Sequence, residues 1–499
     1  MNRNMASSRR CLLEVKLRFS QLNTQHPVMA RLLGWLCLTF ACSWLLFLFQ
    51  HKLATPSHNG RASTSDSALP NLWQWLHGPR ASEQKFIGAS LLGLRAFNPE
   101  NSASVLSAYP HLAALERQFT DLVRAYPHLA HLEKIGESTA WKKPLWAIRL
   151  SDHPDRDEDE PAILFTGVHH AREPLGALIC YEILRELLSN YGKNARHTRL
   201  VDSLEIWLVP IVNPDGYEYI MQNQLQFPWW RKNLRDNNGD GVFDPLVDGV
   251  DLNRNYDFNW DEGGDGNPAS WFYRGGNPFS EKEIQALRDL AWRENFLLGV
   301  SYHSYGESVL YPWGNYHRAP DQELIIDIAQ RCAERIGRLS GNGSYNVLPL
   351  NGRVGQSSIW MYGELGTMDY IIETGEAYFA PAEDIPRITQ ENVPGALFLL
   401  ERVLGSGITG HVRDQLTGKP VAAEIHVNGC DADYVKCRRA DAMRGRFDRL
   451  LFPGNYTIEI RALGYKTEIL TGIAVQPNAT TGLEIALTRQ PILALPSAH

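Results

Sequence analysis

The chain has 499 residues, 44% of them hydrophobic and 21% charged, which excludes wholesale disorder and allows two or three domains with cores of their own. Its formal net charge of −7 excludes the broad basic face that nucleic-acid binding requires. Seven scattered cysteines do not make a disulfide framework; only Cys430 and Cys437, in "GCDADYVKCRR", are close enough in sequence to suggest a bridged loop.

The N-terminal stretch "LLGWLCLTFACSWLLFLF" (32–49) is uncharged and near the minimum length for a membrane span. Arg3, Arg9, Arg10, Lys16, Arg18 and Arg31 precede it against the single acid Glu14. The positive-inside rule therefore predicts a cytoplasmic tail over 1–31, an uncleaved anchor over 32–50 and an outward-facing remainder, periplasmic or extracellular. Secretion after signal cleavage is the alternative, although no small-x-small site follows the run. Residues 51–105 read as a linker.

From 106 to 404 short apolar runs alternate with helical patterns. "PLWAIRLSD", "PAILFTGV", "LEIWLVPIV", "FLLGVSYHS" and "DYIIET" predict buried strands. "GALICYEILRELLSNY" and "SEKEIQALRDLAW" predict helices, the second opened by a capping box of Ser280 and Glu283. Such alternation means an α/β domain with a mostly parallel sheet, whose sites gather at the carboxyl ends of the strands. From 405 to 488 the period becomes two, as in "AAEIHV" and "NYTIEIRA", predicting a small all-β sandwich. Residues 489–499 read as a tail. "SDHPDRDEDEP" (151–161) reads as a charged surface loop.

"FTGVHHAREP" (165–174) ends one of the predicted strands. His170 and Glu173, three apart, can converge on one metal from the turn that follows. On its own, such a pair is common on helix surfaces. A third candidate, His303, ends another predicted strand 130 residues beyond Glu173. Two imidazoles and a carboxylate leave a fourth zinc position open, the catalytic arrangement seen in thermolysin and carboxypeptidase A. Glu373 closes "MDYIIETGE" and supplies a base.

"HAREP", "NPDGYEY", "WWRKN", "DLNRNY", "YHSYG" and "YIIETG", in this order and spread over much of the α/β region, resemble the zinc metallocarboxypeptidases of the carboxypeptidase A type, peptidase family M14. The resemblance implies an α/β/α sandwich around a mixed eight-stranded sheet. It implies one zinc ion held by His170, Glu173 and His303, with His169 only a neighbour. Glu373 then matches the general base, and Arg231 the group that polarises the scissile carbonyl. Asn253 and Arg254 match the clamp on the substrate's terminal carboxylate, a bidentate geometry that selects free C-termini. Arg172 and Tyr305 match residues along the peptide path. The substrate-capping tyrosine of the family should fall near 351, where Asn351 stands; Tyr345 and Tyr362 are the candidate substitutes. Ser358 matches the floor of the side-chain pocket, implying a neutral or apolar C-terminal residue.

Residues 405–488, through "TGKPVAA" and "PGNYTIEIRALGY", resemble the transthyretin-like domain that follows the catalytic domain in regulatory metallocarboxypeptidases. The expected function is hydrolysis of the C-terminal bond of peptides or proteins by a monomer. Cell-wall (murein) peptide hydrolysis and a catalytically silent binding protein are the alternatives. Asp236, Asn238 and Asp240, followed by Gly241, also look like the start of a Ca2+ loop, although Val247 stands where a bidentate Glu belongs.

Overall fold

The computed structural model describes residues 107–222, 228–313, 318–350 and 354–490. The tail at 1–31, the anchor at 32–50, the linker at 51–105 and position Asn351 lie outside the described residues. Among those described, no helix is long and apolar enough to cross a membrane.

Helix α1 (Leu112–Ala125) leads into β1 (Ala130–Glu137) and β2 (Pro144–Leu150), an antiparallel hairpin. There follow β3 (Ala162–Gly167), α2 (Leu175–Asn190), α3 (Ala195–Val201), β4 (Glu205–Val209), α4 (Pro214–Gln222) and, after a long irregular stretch, α5 (Lys282–Glu294). Then come β5 (Leu298–His303), β6 (Ser308–Tyr311), α6 (Gln322–Ala333), β7 (Asn346–Pro349), α7 (Ser357–Leu365), β8 (Met368–Glu373) and α8 (Ile385–Val403). All five strands expected from apolar runs are present. The eight-stranded sheet has the order β1-β2-β4-β3-β5-β8-β6-β7. Its central strands β4, β3, β5 and β8 are mutually parallel, while β2 and β6 join them antiparallel. The sheet is therefore mixed.

Strand alternation sorts the core into two layers. Ile163 and Phe165 of β3 pack with Ile179 and Ile183 of α2 and Leu397 and Leu400 of α8. Leu164, facing the other way, packs with Leu287 and Leu290 of α5 and Trp360 of α7. Helices thus cover both faces, which is why these strands read as unbroken apolar runs. At the end of β3 a Cβ on Gly167 would lie 2.6 Å from Gly176 C and 2.7 Å from Pro210 O, so only glycine lets α2 approach this closely.

The expected capping box does not form. Helix α5 starts with Glu281 as its N-cap and no side-chain cap bond. Glu283 is buried and turned toward the β1–β2 turn, where its carboxylate accepts the Thr139 amide at 3.0 Å.

Beyond α8 lie β9 (Gly407–Asp414), β10 (Ala423–Val427), β11 (Arg438–Ala440), β12 (Arg446–Leu450), β13 (Gly454–Arg461), β14 (Glu468–Val475) and β15 (Thr480–Leu487). They form a four-stranded sheet, β11-β10-β13-β14, and a three-stranded one, β12-β9-β15, over a core that includes Ile408, Val412, Ile425, Phe447, Ile458 and Ile485. Cys430 and Cys437 are free thiols, so the suggested bridge is absent.

The loop at 151–161 does more than solvate. Asp157 pairs with Arg444 at 2.8 Å, and Asp159 with Arg446 at 3.1 Å and His411 at 2.8 Å, tying the α/β layer to the β-domain. The stronger tie is Arg438, only 2% exposed. Its guanidinium donates to Phe296 O at 2.9 Å, Leu365 O at 3.0 Å, Asn295 O at 2.9 Å and Asp448 O at 3.0 Å. Asn295 and Leu365 end α5 and α7, so one cation from the β-domain satisfies carbonyls at two helix C-termini, the negative ends of their dipoles.

Candidate active site

Strands β3, β5 and β8 are adjacent and parallel, so their carboxyl ends open on the same edge of the sheet. His303 is the last residue of β5 and stands in register beside Glu373, the last of β8. After β3 the chain turns at Val168, a β-branched residue at φ 55°, a conformation that costs about 1–3 kcal/mol. The following histidines then part.

His169 is fully buried: its Nε2 lies 2.9 Å from the Tyr256 hydroxyl and its Nδ1 3.0 Å from Ser301 Oγ. It is a buttress, its ring stacked 5.6 Å from that of His303. His170 faces the cleft. Its Nδ1 lies 2.9 Å from Glu173 Oε2 and 3.0 Å from His303 Nδ1, and His303 Nδ1 lies 2.8 Å from the same carboxylate oxygen. All three side chains are buried.

A further carboxylate stands behind the His170 ring. His170 Nε2 lies 3.3 Å from Asp251 Oδ1. Burial works to raise the Asp251 carboxyl, but the Arg231 and Arg254 guanidiniums outweigh it and hold it well below the usual range. Arg231 Nη1 lies 3.2 Å from His170 Nδ1, so the ring is flanked by a guanidinium as well as by the Asp251 and Glu173 carboxylates. His303 is pushed down to about 4 by burial, which keeps it a neutral ligand. The donor set and its geometry fit a divalent zinc ion.

The cleft, about 550 Å³, is lined by the triad together with Arg231, Asn253, Arg254, Gln356 and Glu373. Arg231 donates from Nε to Asp251 Oδ2 at 2.9 Å, which aims its remaining nitrogens at the triad. Burial would depress this guanidinium, but Asp251 and Glu173 hold it above its ordinary value. Asn253 Oδ1 accepts the Ser357 amide at 2.9 Å, and Arg254 donates to Asn253 O at 2.7 Å. Phe272 lies against both guanidiniums, 5.4 Å from each. Arg172 and Tyr305 stand farther out and meet through Tyr378: Arg172 lies 4.1 Å over its ring, and Tyr305 meets it edge-on at 4.9 Å.

Three expectations change. Ser358 does not floor the pocket: it is fully buried and donates to Asp369 Oδ2 at 2.6 Å, because helix α7 has already begun at Ser357 and turns it into the sheet. The apolar lining comes instead from Leu310, Leu350 and Ile371. Tyr345 and Tyr362 cannot substitute for the tyrosine sought near Asn351. Both are buried, their hydroxyls accepting the Gly375 amide at 3.2 Å and the Asp321 amide at 3.4 Å. The calcium loop finds no support either. Asp236 accepts the Gly239 and Gly241 amides and Asp240 accepts that of Val242, while Asn238 is hydrogen-bonded to Asp240. These side chains serve a solvated turn. Sequence reading also missed Asp251, Phe272, Gln356 and Tyr378. Asp251 stood inside a quoted motif; the other three come close only through folding.

Burial pushes the Asp369 carboxyl from 3.8 to about 7. The stability linked to this group is therefore full below pH 3.8 and lost as pH rises through about 7. Asp369→Asn should remove that loss, gaining on the order of 1–4 kcal/mol at pH 8 relative to its effect at pH 4. Urea denaturation at both pH values checks this; an equal offset at both would contradict it.

A profile of the zinc carboxypeptidase family matches residues 115–395, and one of the carboxypeptidase regulatory-like domain matches 407–488. Carboxypeptidase A4 of Mus musculus is 30% identical over 321 residues, covering 62% of this chain and 71% of that protein. Metallocarboxypeptidase A of Trichophyton equinum is 38% identical over 268 residues, 49% of this chain and 60% of that one. The solved carboxypeptidase A of Helicoverpa armigera shares the fold, with a TM-score of 0.51 at 22% identity, covering 56% of this chain and 69% of that one. Several fungal relatives are thus matched over only 60% of their length. The chain belongs to the zinc carboxypeptidase family and carries a carboxypeptidase regulatory-like domain behind its α/β domain.

Proposed function

We propose that this chain removes single residues from the C-termini of peptides or proteins, favouring neutral or apolar last residues. The observation that carries this reading is the lining of the cleft, which gathers the metal donors, Glu373, the Asn253–Arg254 pair and the apolar Leu310, Leu350 and Ile371 around one space.

Bound at His170, Glu173 and His303, zinc supplies a Lewis acid and lowers the pKa of water. Arg254 and Asn253 bind the substrate's terminal carboxylate, and a chain continuing past that point has nothing to offer the guanidinium. The last side chain then enters the apolar part of the cleft. Arg231, fixed through Asp251, donates to the carbonyl oxygen as negative charge develops on it. Glu373 takes a proton from the attacking water and returns it to the leaving amine. Phe272 keeps water from one side of both guanidiniums, which strengthens their charge interactions.

A panel of free-acid peptides differing only in the last residue tests the specificity. Mass spectrometry should show loss of one residue, with kcat/KM for Leu or Phe exceeding that for Lys or Asp by about 100-fold or more, since the charged residues would be buried unpaired. Equal cleavage of Leu and Lys peptides would overturn the apolar assignment.

A further inference from the structure

The β-domain carries a second group of metal-binding side chains, remote in sequence from the first. Strand β10 alternates buried and half-buried residues, so Glu424 and His426 project together from its outer face. β11 pairs with β10 antiparallel, Glu424 opposite Arg439 and Ile425 opposite Arg438, and the same register puts Cys437 opposite His426. The donor atoms of Glu424, His426 and Cys437 all lie within 4.8 Å of one another.

The separations resemble those of ligands around an ion. His426 Nε2 lies 3.3 Å from Glu424 Oε2 and 3.7 Å from Cys437 Sγ. Tetrahedral zinc with ordinary bond lengths separates nitrogen from oxygen by about 3.4 Å and nitrogen from sulfur by about 3.6 Å. The other ring nitrogen, Nδ1, lies 3.9 Å from Asp431 Oδ2. Asp431 is itself fixed, accepting the Val427 amide at 2.6 Å and pairing with Arg449 at 2.6 Å. The remaining neighbours are polar: Arg439 lies 3.8 Å from Glu424 Oε1, leaving Oε2 toward His426, and Glu459 stands opposite His426 on β13. The three donor residues are half-buried, so an ion can enter from solvent.

We propose that Glu424, His426 and Cys437 form a second transition-metal site, which takes zinc and leaves the fourth position to water or Glu459. A thiolate, an imidazole and a carboxylate suit zinc better than calcium or magnesium. The site lies outside the peptide cleft and is independent of the reaction proposed there.

Cobalt distinguishes the two sites, because the first contains no sulfur. Reduced, metal-free whole chain titrated with Co2+ should bind two ions by native mass spectrometry and develop a near-ultraviolet cobalt–thiolate band. Cys437→Ser should abolish the band and leave one ion, with peptidase activity of the zinc-loaded variant retained. Glu424→Gln and His426→Ala should weaken the band at least tenfold at limiting metal, and Cys430→Ser should leave it intact. No thiolate band in the wild type would overturn the proposal. So would a band that survives Cys437→Ser, or a Cys430–Cys437 bridge in protein purified without reductant.

Discussion

Replacing Glu373 with Gln lowers kcat by about 100- to 10,000-fold while zinc content and KM stay close to wild type. The substitution keeps the shape of the side chain and removes only its ability to take a proton. Glu373 stands in register beside His303 at the carboxyl edge of the sheet, one strand away from the metal donors, so it lines the cleft without belonging to the triad. Uniform loss in kcat and kcat/KM is the signature of a group needed in the transition state alone. Steady-state kinetics on one free-acid peptide, with zinc measured on the same sample, checks this. A kcat within tenfold of wild type would place the base elsewhere, and loss of zinc would make Glu373 part of the metal site.

The second large effect concerns stability. Arg438→Met should destabilise the chain by roughly 3–5 kcal/mol, since each buried carbonyl left without a donor costs about 1–3 kcal/mol. Four carbonyl oxygens lose the guanidinium at once, those of Asn295, Phe296, Leu365 and Asp448, and among the described residues only that of Phe296 keeps a side-chain donor, the Thr367 hydroxyl at 2.6 Å. Arg438→Lys should recover only part of the loss, because an ammonium cannot reproduce the planar fork. Calorimetry should then show the β-domain unfolding ahead of the α/β domain. A loss below about 1 kcal/mol would mean that the Asp157–Arg444 and Asp159–Arg446 pairs hold the domains together by themselves.

Much of this was legible in the sequence, for physical reasons. Strands buried on both faces have to be apolar throughout, so β2, β3, β4, β5 and β8 announce themselves, and ligands at strand ends follow directly. β1, with the half-solvated run "AHLEKIGE", and the four-residue strands β6 and β7 carry too little apolar signal. The site reads well where its chemistry is local, as at His170 and Glu173. It reads poorly where a side chain has two possible directions. Ser358 could have faced the cleft or the sheet, and one turn of α7 decides. Glu283 has the spacing of a capping residue, yet Thr139 lies within reach and the buried carboxylate goes there. The acids at 157–159 look solvated because their partners, Arg444, Arg446 and His411, lie more than 250 residues away.

One measurement tests the exopeptidase reading most directly. The whole chain, with its zinc content known, is given one peptide ending in Leu as the free acid and the same peptide amidated, with Glu373→Gln as control. Loss of Leu from the free acid alone, absent in the variant, is the expected result. Equal cleavage of the amide, or no cleavage with zinc bound, would contradict it.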